Sequence, residues 1–281
     1  MSEQKTHRGC WCPELKDKTA IITGAGGMRG LGREIALELA RQGVNIVLMD
    51  VERAPGRVAP AEEKAGWQGI ASVAKLVEAA GAKALSLVAD ITDPGAVDAA
   101  VAAAVQTFGG IDFLVNNAGA AVAGDRVPIT EMPVEEWNRV LGVNLTGSFL
   151  MSRAVGAAMV ARGQGGGIVN ISSIASRQAA ARNGAYAVSK AALNTLSRVM
   201  AMELGPHRIR VNTIMPGLTL TSRLGDLPES SGWDAFVKNY VPLGFAGDAN
   251  EIACMCTYLC SDMGKWISGQ DIAVDGGSSW R

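Results

Sequence analysis

TAIITGAGGMRGLG, residues 19–32, is a short apolar run that opens into a glycine-rich loop, and the REIALELARQG that follows, residues 33–43, carries apolar residues at helical spacing. A strand, a glycine turn and a helix in that order form half of a dinucleotide-binding βαβ unit when an acidic residue closes the next strand about 20 positions later. The next apolar run, VNIVLMD, ends in Asp50. Outward from this unit the pattern repeats. AKALSLVAD, IDFLVNNAG, GGIVNISS, IRVNTIMPG and DIAVDGG read as strands, and helical stretches such as AVDAAVAAAVQTFG, the segment 134–161 and AYAVSKAALNTLSRVMAMELG lie between them. Such alternation predicts parallel strands with helices on both faces. The strands are almost wholly apolar, as strands covered on both sides are. The fold expected is α/β: a single-domain, Rossmann-like, doubly wound parallel sheet that binds ligands beyond the carboxyl ends of its strands.

One such end carries chemistry. Tyr186 and Lys190 stand four residues apart in AYAVSK, and Ser173 closes the run GGGIVNISS thirteen residues before the tyrosine. Residues i and i+4 share a helix face, so the ammonium can lie beside the phenol and favour its ionised form. A serine ending a neighbouring strand can donate a hydrogen bond to an oxygen that gains or loses charge. Ser172 competes for this role, but adjacent strand residues point to opposite faces and the spacing selects Ser173. Each piece is common alone; together, in a workable order, they describe an acid/base site beside a nicotinamide.

With 281 residues, 48% hydrophobic and 19% charged, the chain suits one large domain with a substantial core. The formal net charge is −1 and the basic residues form no extended run, so neither a nucleic-acid footprint nor an electrostatic membrane anchor is indicated. The first residues are polar, without an apolar h-region, and no segment reads as a membrane span, so a cytoplasmic protein is expected. Five cysteines, three of them (Cys254, Cys256, Cys260) in one helical pattern, argue against a disulfide framework. His7 and His207 are the only histidines and stand in no ligand cluster, and Cys10 and Cys12 read as part of a polar tail, residues 1–14, so no metal is called for.

Taken together, TG…GLG, Asp50, Asp90, Asn116-Asn117-Ala118-Gly119, Asn144, Ser173, Tyr186, Lys190, Pro216-Gly217 and the terminal VDGG resemble the short-chain dehydrogenase/reductase family, over nearly the whole chain. The resemblance implies catalytic roles for Asn144, Ser173, Tyr186 and Lys190, with Asn144 fixing a water that connects Lys190 to solvent and Lys190 holding the nicotinamide ribose. It implies a cofactor wall of Gly24, Gly26, Arg29, Gly30, Leu31, Gly32, Asp50, Asp90, Ile91, Asn117, Ala118, Gly119, Tyr186, Lys190, Pro216, Gly217, Leu218 and Thr221. Five residues rather than the family's three separate Gly24 from Gly30, lengthening the turn over the pyrophosphate. A homotetramer is implied as well. Asp50 can accept both adenosine-ribose hydroxyls and repel a 2′-phosphate, which favours NAD. Arg29 and Arg53 argue for NADP, and the carboxylate weighs more.

Two segments depart from the rhythm: 52–69 reads as a long loop or irregular insertion, and 218–245, with Trp233 and Phe236, reads as a substrate lid. Ala120–Val122, Ile174, Gln178 and Asn183 complete an expected pocket for an apolar or cyclic secondary alcohol or its ketone. A 3-oxoacyl thioester reductase uses the same core, and a non-catalytic dinucleotide-binding regulator is the alternative of a different class.

Overall fold

The computed structural model describes residues 12–52, 60–120, 123–225 and 227–280. His7, Cys10, Arg53, Ala121 and Val122 therefore lie outside the described residues. Each of the seven strand-like runs forms a strand. In chain order, β1 (Thr19–Thr23) leads to helix α1 (Leu31–Arg41), β2 (Asn45–Asp50) to a short α2 (Pro60–Lys64) and α3 (Ile70–Ala79), and β3 (Ala84–Val88) to α4 (Pro94–Phe108). After β4 (Phe113–Asn116) come α5 (Val134–Leu141), a π-helical turn over Gly142–Gly147 and α6 (Ser148–Arg162). Then follow β5 (Gly166–Ile171), α7 (Gly184–Leu204) and β6 (Ile209–Pro216). A two-residue strand β7 (Thr219–Leu220), helix α8 (Trp233–Tyr240), strand β8 (Gly247–Asp248), helix α9 (Ala249–Cys260) and β9 (Asp271–Val274) complete the chain.

The seven main strands lie in the order β3-β2-β1-β4-β5-β6-β9, every neighbouring pair parallel. The doubly wound Rossmann-like sheet expected from the strand–helix alternation is the one observed. The β7–β8 pair forms a separate parallel ribbon that the sequence pattern did not announce.

Strand alternation divides the interior into two cores. Ile22, Leu48, Val115 and Val169 join Ile35, Leu39, Val73, Val77, Ile252 and Leu259 from α1, α3 and α9 on one face. Their chain neighbours Ile21, Val47, Leu114 and Ile168 point the other way, to Val97, Val101, Leu150, Val155 and Met200 of α4, α6 and α7. Adjacent strand residues thus serve opposite cores, which is why these strands are largely apolar. Cys12 and Leu15 are buried in the first core, and the Cys12 N–H donates to Gln42 Oε1 at 3.0 Å. The folded body therefore begins by Cys12, a little before the polar tail was expected to end.

Because α1 and the α5–α6 segment cover opposite faces, a crevice opens between the carboxyl ends of β1 and β4. Thr23 Oγ1 accepts from both the Asn117 and Ala118 N–H groups at 3.0 Å. In return Asn117 Nδ2 donates to the carbonyls of Thr23 and Gly24, each at 2.9 Å. These four bonds hold open the switch point where ligands bind in such sheets.

Candidate active site

Gly24 turns the chain out of β1 at φ +65°, a left-handed conformation that favours glycine. A Cβ there would also stand 2.7 Å from Ala118 Cα. The lengthened loop then runs to Gly30, the N-cap of α1, which has no side chain with which to cap the helix. The first-turn N–H groups of an uncapped helix, together with its dipole, make an anion site. The loop is held from beneath by the segment after β2. Asp50 accepts from the Gly26 N–H at 2.7 Å, Glu62 of α2 accepts from the Met28 N–H at 2.7 Å, and Trp67 Nε1 donates to the Gly26 carbonyl at 2.8 Å. The Arg33 guanidinium lies 6.0 Å from the Trp67 ring centroid. Part of the 52–69 segment is therefore an organised support for the glycine loop, with a short helix inside it.

From this loop a cleft of about 650 Å³ runs across the switch point, within the usual range for small-molecule sites. Its walls include Gly24, Gly30, Leu31, Asp50, Asn117, Ala118 and Gly119 at one side and Ser173, Tyr186, Lys190, Pro216, Gly217, Leu218 and Thr221 at the other. A smaller cavity of about 280 Å³ joins Gly26, Asp50, Trp67 and Ile70. An uncapped helix start in mid-cleft, a carboxylate at one end and a tyrosine–lysine pair at the other fit an extended dinucleotide.

Six of the site residues named from sequence, Gly26, Arg29, Gly32, Asp90, Ile91 and Asn144, do not line the larger cleft. Asn144 is fully buried behind the cleft, where its Oδ1 accepts from the Ala120 N–H at 2.8 Å and its Nδ2 donates to Ser189 Oγ at 2.9 Å. The π-helical turn carries Asn144, so the irregularity falls where the helix must reach both the Ala120 strand end and α7. Gly32 is buried where α1 meets the start of the glycine loop and the Asn117 amide. Arg29 is exposed, and its carbonyl accepts from the Ser222 N–H at 2.8 Å, tying the loop to the segment after β6. Gly26 lines the smaller cavity. Asp90 is exposed and accepts from Thr92 N and Oγ1, both at 2.8 Å, while Ile91 is buried in the second core.

Ser172 and Ser173 divide as the alternation requires. Ser172 is buried and donates to the Lys190 carbonyl at 3.1 Å, which anchors α7. Both serines line the cleft, and Ser173 Oγ, which no backbone carbonyl among the described residues holds, accepts from the Ala175 N–H at 3.2 Å. Lys190 is 4% exposed, donates from Nζ to the Ile171 carbonyl at 2.7 Å, and places that nitrogen 5.9 Å from the Tyr186 ring centroid. Burial, with a smaller push from the Arg223 guanidinium, lowers its ammonium from the ordinary 10.5 to about 7. Folding therefore sheds this proton near pH 7, whereas the unfolded chain keeps it to about 10.5. The unfolded state binds more protons between those values, so stability gains with pH across that window. In cofactor-free protein, the stability difference between the parent and Lys190→Met is expected to move about 2–3 kcal/mol in the parent's favour from pH 7 to 9. Urea melts at both pH values check this, and a difference that stays constant refutes it.

Two arginines that no motif marked stand over Tyr186. The guanidinium carbons of Arg126 and Arg223 lie 5.1 Å and 5.4 Å from the Tyr186 ring centroid. Of the expected pocket residues, Asn183 accepts from Arg126, Ala120 accepts from Arg223 Nη2 through its carbonyl at 2.6 Å, and Gln178 donates to the Ser278 carbonyl at 2.7 Å. The 218–245 segment supplies Leu218, Thr219, Thr221, Ser222, Arg223 and Leu224 to the cleft. Helix α8 buries Val237 and leaves a Phe236–Tyr240 stack, centroids 5.4 Å apart, largely exposed. Among the described residues there is no group of three or more His, Cys, Asp or Glu side chains placed to hold a metal, and no helix is long and apolar enough to cross a membrane.

The family model described as enoyl-(acyl carrier protein) reductase matches residues 24–279. The trans-4-hydroxycyclohexanecarboxylate dehydrogenase of Sinomonas cyclohexanicum is 36% identical, the match covering 94% of each chain. A short-chain type dehydrogenase/reductase from Mycobacterium ulcerans superposes with a TM-score of 0.83 at 31% identity, over 95% of this chain and 91% of that one. The carveol dehydrogenase of Mycobacterium avium, solved in complex with NAD, superposes with a TM-score of 0.84 at 28% identity, over 95% of this chain and 99% of that one.

Proposed function

The chain belongs to the short-chain dehydrogenase/reductase family, and on that premise we propose that it is an NAD-dependent dehydrogenase that interconverts a secondary alcohol, cyclic in the simplest case, and the corresponding ketone. The observation that carries this reading is the convergence of Ser173, Tyr186 and Lys190 at one end of a cleft that holds the uncapped start of α1 midway and Asp50 at its other end. When bound, the nicotinamide supplies a hydride acceptor for alcohol oxidation and a hydride donor for the reverse reaction. Tyr186 takes the hydroxyl proton of the substrate in oxidation and returns it in reduction. Ser173 donates a hydrogen bond to the substrate oxygen as its charge changes. Lys190 lies between the Ile171 carbonyl and the Tyr186 ring, placed to bind ribose hydroxyls and, when protonated, to set a positive charge beside the tyrosine. Asn144 acts as a positioning residue, joining the Ala120 strand end to α7.

Gly24, Gly30, Leu31, Asn117, Ala118 and Gly119 would line the pyrophosphate and ribose path, and Pro216, Gly217, Leu218 and Thr221 the carboxamide end. NAD is favoured over NADP because the Asp50 carboxylate faces the smaller cavity, where a 2′-phosphate would meet it. Asp50→Asn keeps an acceptor for the Gly26 N–H and removes the charge. It is expected to reduce the kcat/KM preference for NAD over NADP at least about tenfold, or ~1.4 kcal/mol. A parent that prefers NADP contradicts the assignment.

The reading is tested by following nicotinamide reduction with purified protein, NAD and a panel of secondary alcohols. The panel includes a hydroxycyclohexanecarboxylate, the kind of substrate in the Sinomonas relative's name, and a 3-hydroxyacyl thioester. Turnover of cyclic alcohols alone supports the proposal, preferred turnover of the thioester replaces it with a 3-oxoacyl thioester reductase, and reduction by none of them refutes it.

A further inference from the structure

Resting on the reading above, we propose that the substrate carries a carboxylate close to its reacting carbon, held by Arg126 and Arg223. Both guanidiniums stand about one ring's width from the tyrosine assigned the proton transfer, so a group bound by them lies within a compact molecule's reach of the reacting centre. Arginine stays charged at any working pH, and its planar fork matches a carboxylate in a bidentate pair.

The charge around the tyrosine is unbalanced. Arg126 has a counter-charge: buried Asp125 stands 3.5 Å from its Nε, and Arg139, 3.9 Å from Asp125 and 2.8 Å from Glu136, completes a group of two cations and two anions, so the excess lies on Arg223. The remaining partner of Arg126 is the neutral Asn183 amide. Arg223 donates to a backbone carbonyl, and among the described residues no carboxylate pairs with it. A neutral substrate settling over Tyr186 would take water from the exposed Arg223 guanidinium without supplying a compensating charge, which is costly. A carboxylate substrate instead supplies the missing charge with charge-assisted hydrogen bonds. Fixed at two points beside the ring, it also orients the carbinol carbon relative to Tyr186.

Calorimetry on the protein–NADH complex tests this without requiring turnover. Cyclohexanecarboxylate is titrated against cyclohexanecarboxamide, which has the same shape and no charge, in the parent and in Arg126→Met and Arg223→Met. The acid is expected to bind at least about tenfold more tightly than the amide, and each substitution to shrink that ratio about tenfold, while NADH affinity in the Arg223→Met protein stays within about threefold of the parent. No measurable acid binding, equal binding of acid and amide, or a ratio that survives both substitutions overturns the proposal. So does an Arg223→Met variant whose loss falls on NADH, since the guanidinium would then serve cofactor phosphates. An acid preference in a protein that oxidises no alcohol would leave the anion site standing and refute the dehydrogenase reading. Oxidation of cyclic alcohols with no acid preference would do the reverse.

Discussion

Tyr186→Phe is expected to lower kcat by about 10²- to 10⁴-fold while NADH affinity changes little. The substitution removes one oxygen and keeps the ring that sits among Lys190, Arg126 and Arg223. The hydrogen bond that the Ser189 hydroxyl donates to the Tyr186 carbonyl is untouched, so α7 holds its place. Lys190 keeps its own anchor on the Ile171 carbonyl, and so the cofactor side of the cleft persists. The loss therefore falls on proton transfer. Steady-state kinetics paired with NADH titration checks this, and activity within a few-fold of the parent would remove Tyr186 from the chemistry.

The second large effect is expected at Gly32, for a packing reason. A Cβ built there lies 2.5 Å from Asn117 Nδ2, 2.6 Å from the Gly24 carbonyl oxygen and 3.0 Å from Ala25 Cα. Two of these are backbone atoms of the glycine loop, and the third is the amide that clamps β1 to β4, so no flexible end can yield. Gly32→Ala is expected to cost about 1–3 kcal/mol, lower Tm by several degrees and weaken NADH binding at least tenfold, because the loop must shift. Gly205, whose added Cβ meets nothing within 4 Å, is the control, and Gly205→Ala is expected to leave both properties nearly unchanged. Thermal melts and NADH titration of the two variants decide the point; similar behaviour of both would contradict the clamp.

The sheet was readable because its strands serve two cores: Ile21 and Ile22, or Leu114 and Val115, are buried on opposite faces, and only apolar runs allow that. The cleft residues were readable for a related reason. Ser173, Tyr186 and Lys190 follow the periods of one strand end and one helix, so spacing alone brings them together. What was missed has no period. Glu62 and Trp67 reach the glycine loop from an irregular connection, and Arg126 and Arg223 are single residues in a bend and a short 3₁₀ turn that meet only after the chain has folded. The expected apolar pocket weighed the leucines and aromatics of 218–245 and overlooked its arginine. One faint signal existed: Arg223 follows Thr221 by two positions, next to the expected nicotinamide contact. The π-helical turn at Gly142–Gly147 has no recognisable signature either, since GVNLTG reads as ordinary helix interior.

The central claim is that this chain moves a hydride from a carbinol carbon under the control of Tyr186. Its most direct test uses a cyclic secondary alcohol deuterated at the carbinol carbon, incubated with the protein and NAD, with the recovered nicotinamide analysed by mass spectrometry. The account predicts deuterium on the reduced nicotinamide with the parent and a rate of transfer at least about a hundredfold lower with Tyr186→Phe. Reduced nicotinamide without deuterium, or transfer at the parental rate in the variant, would contradict it.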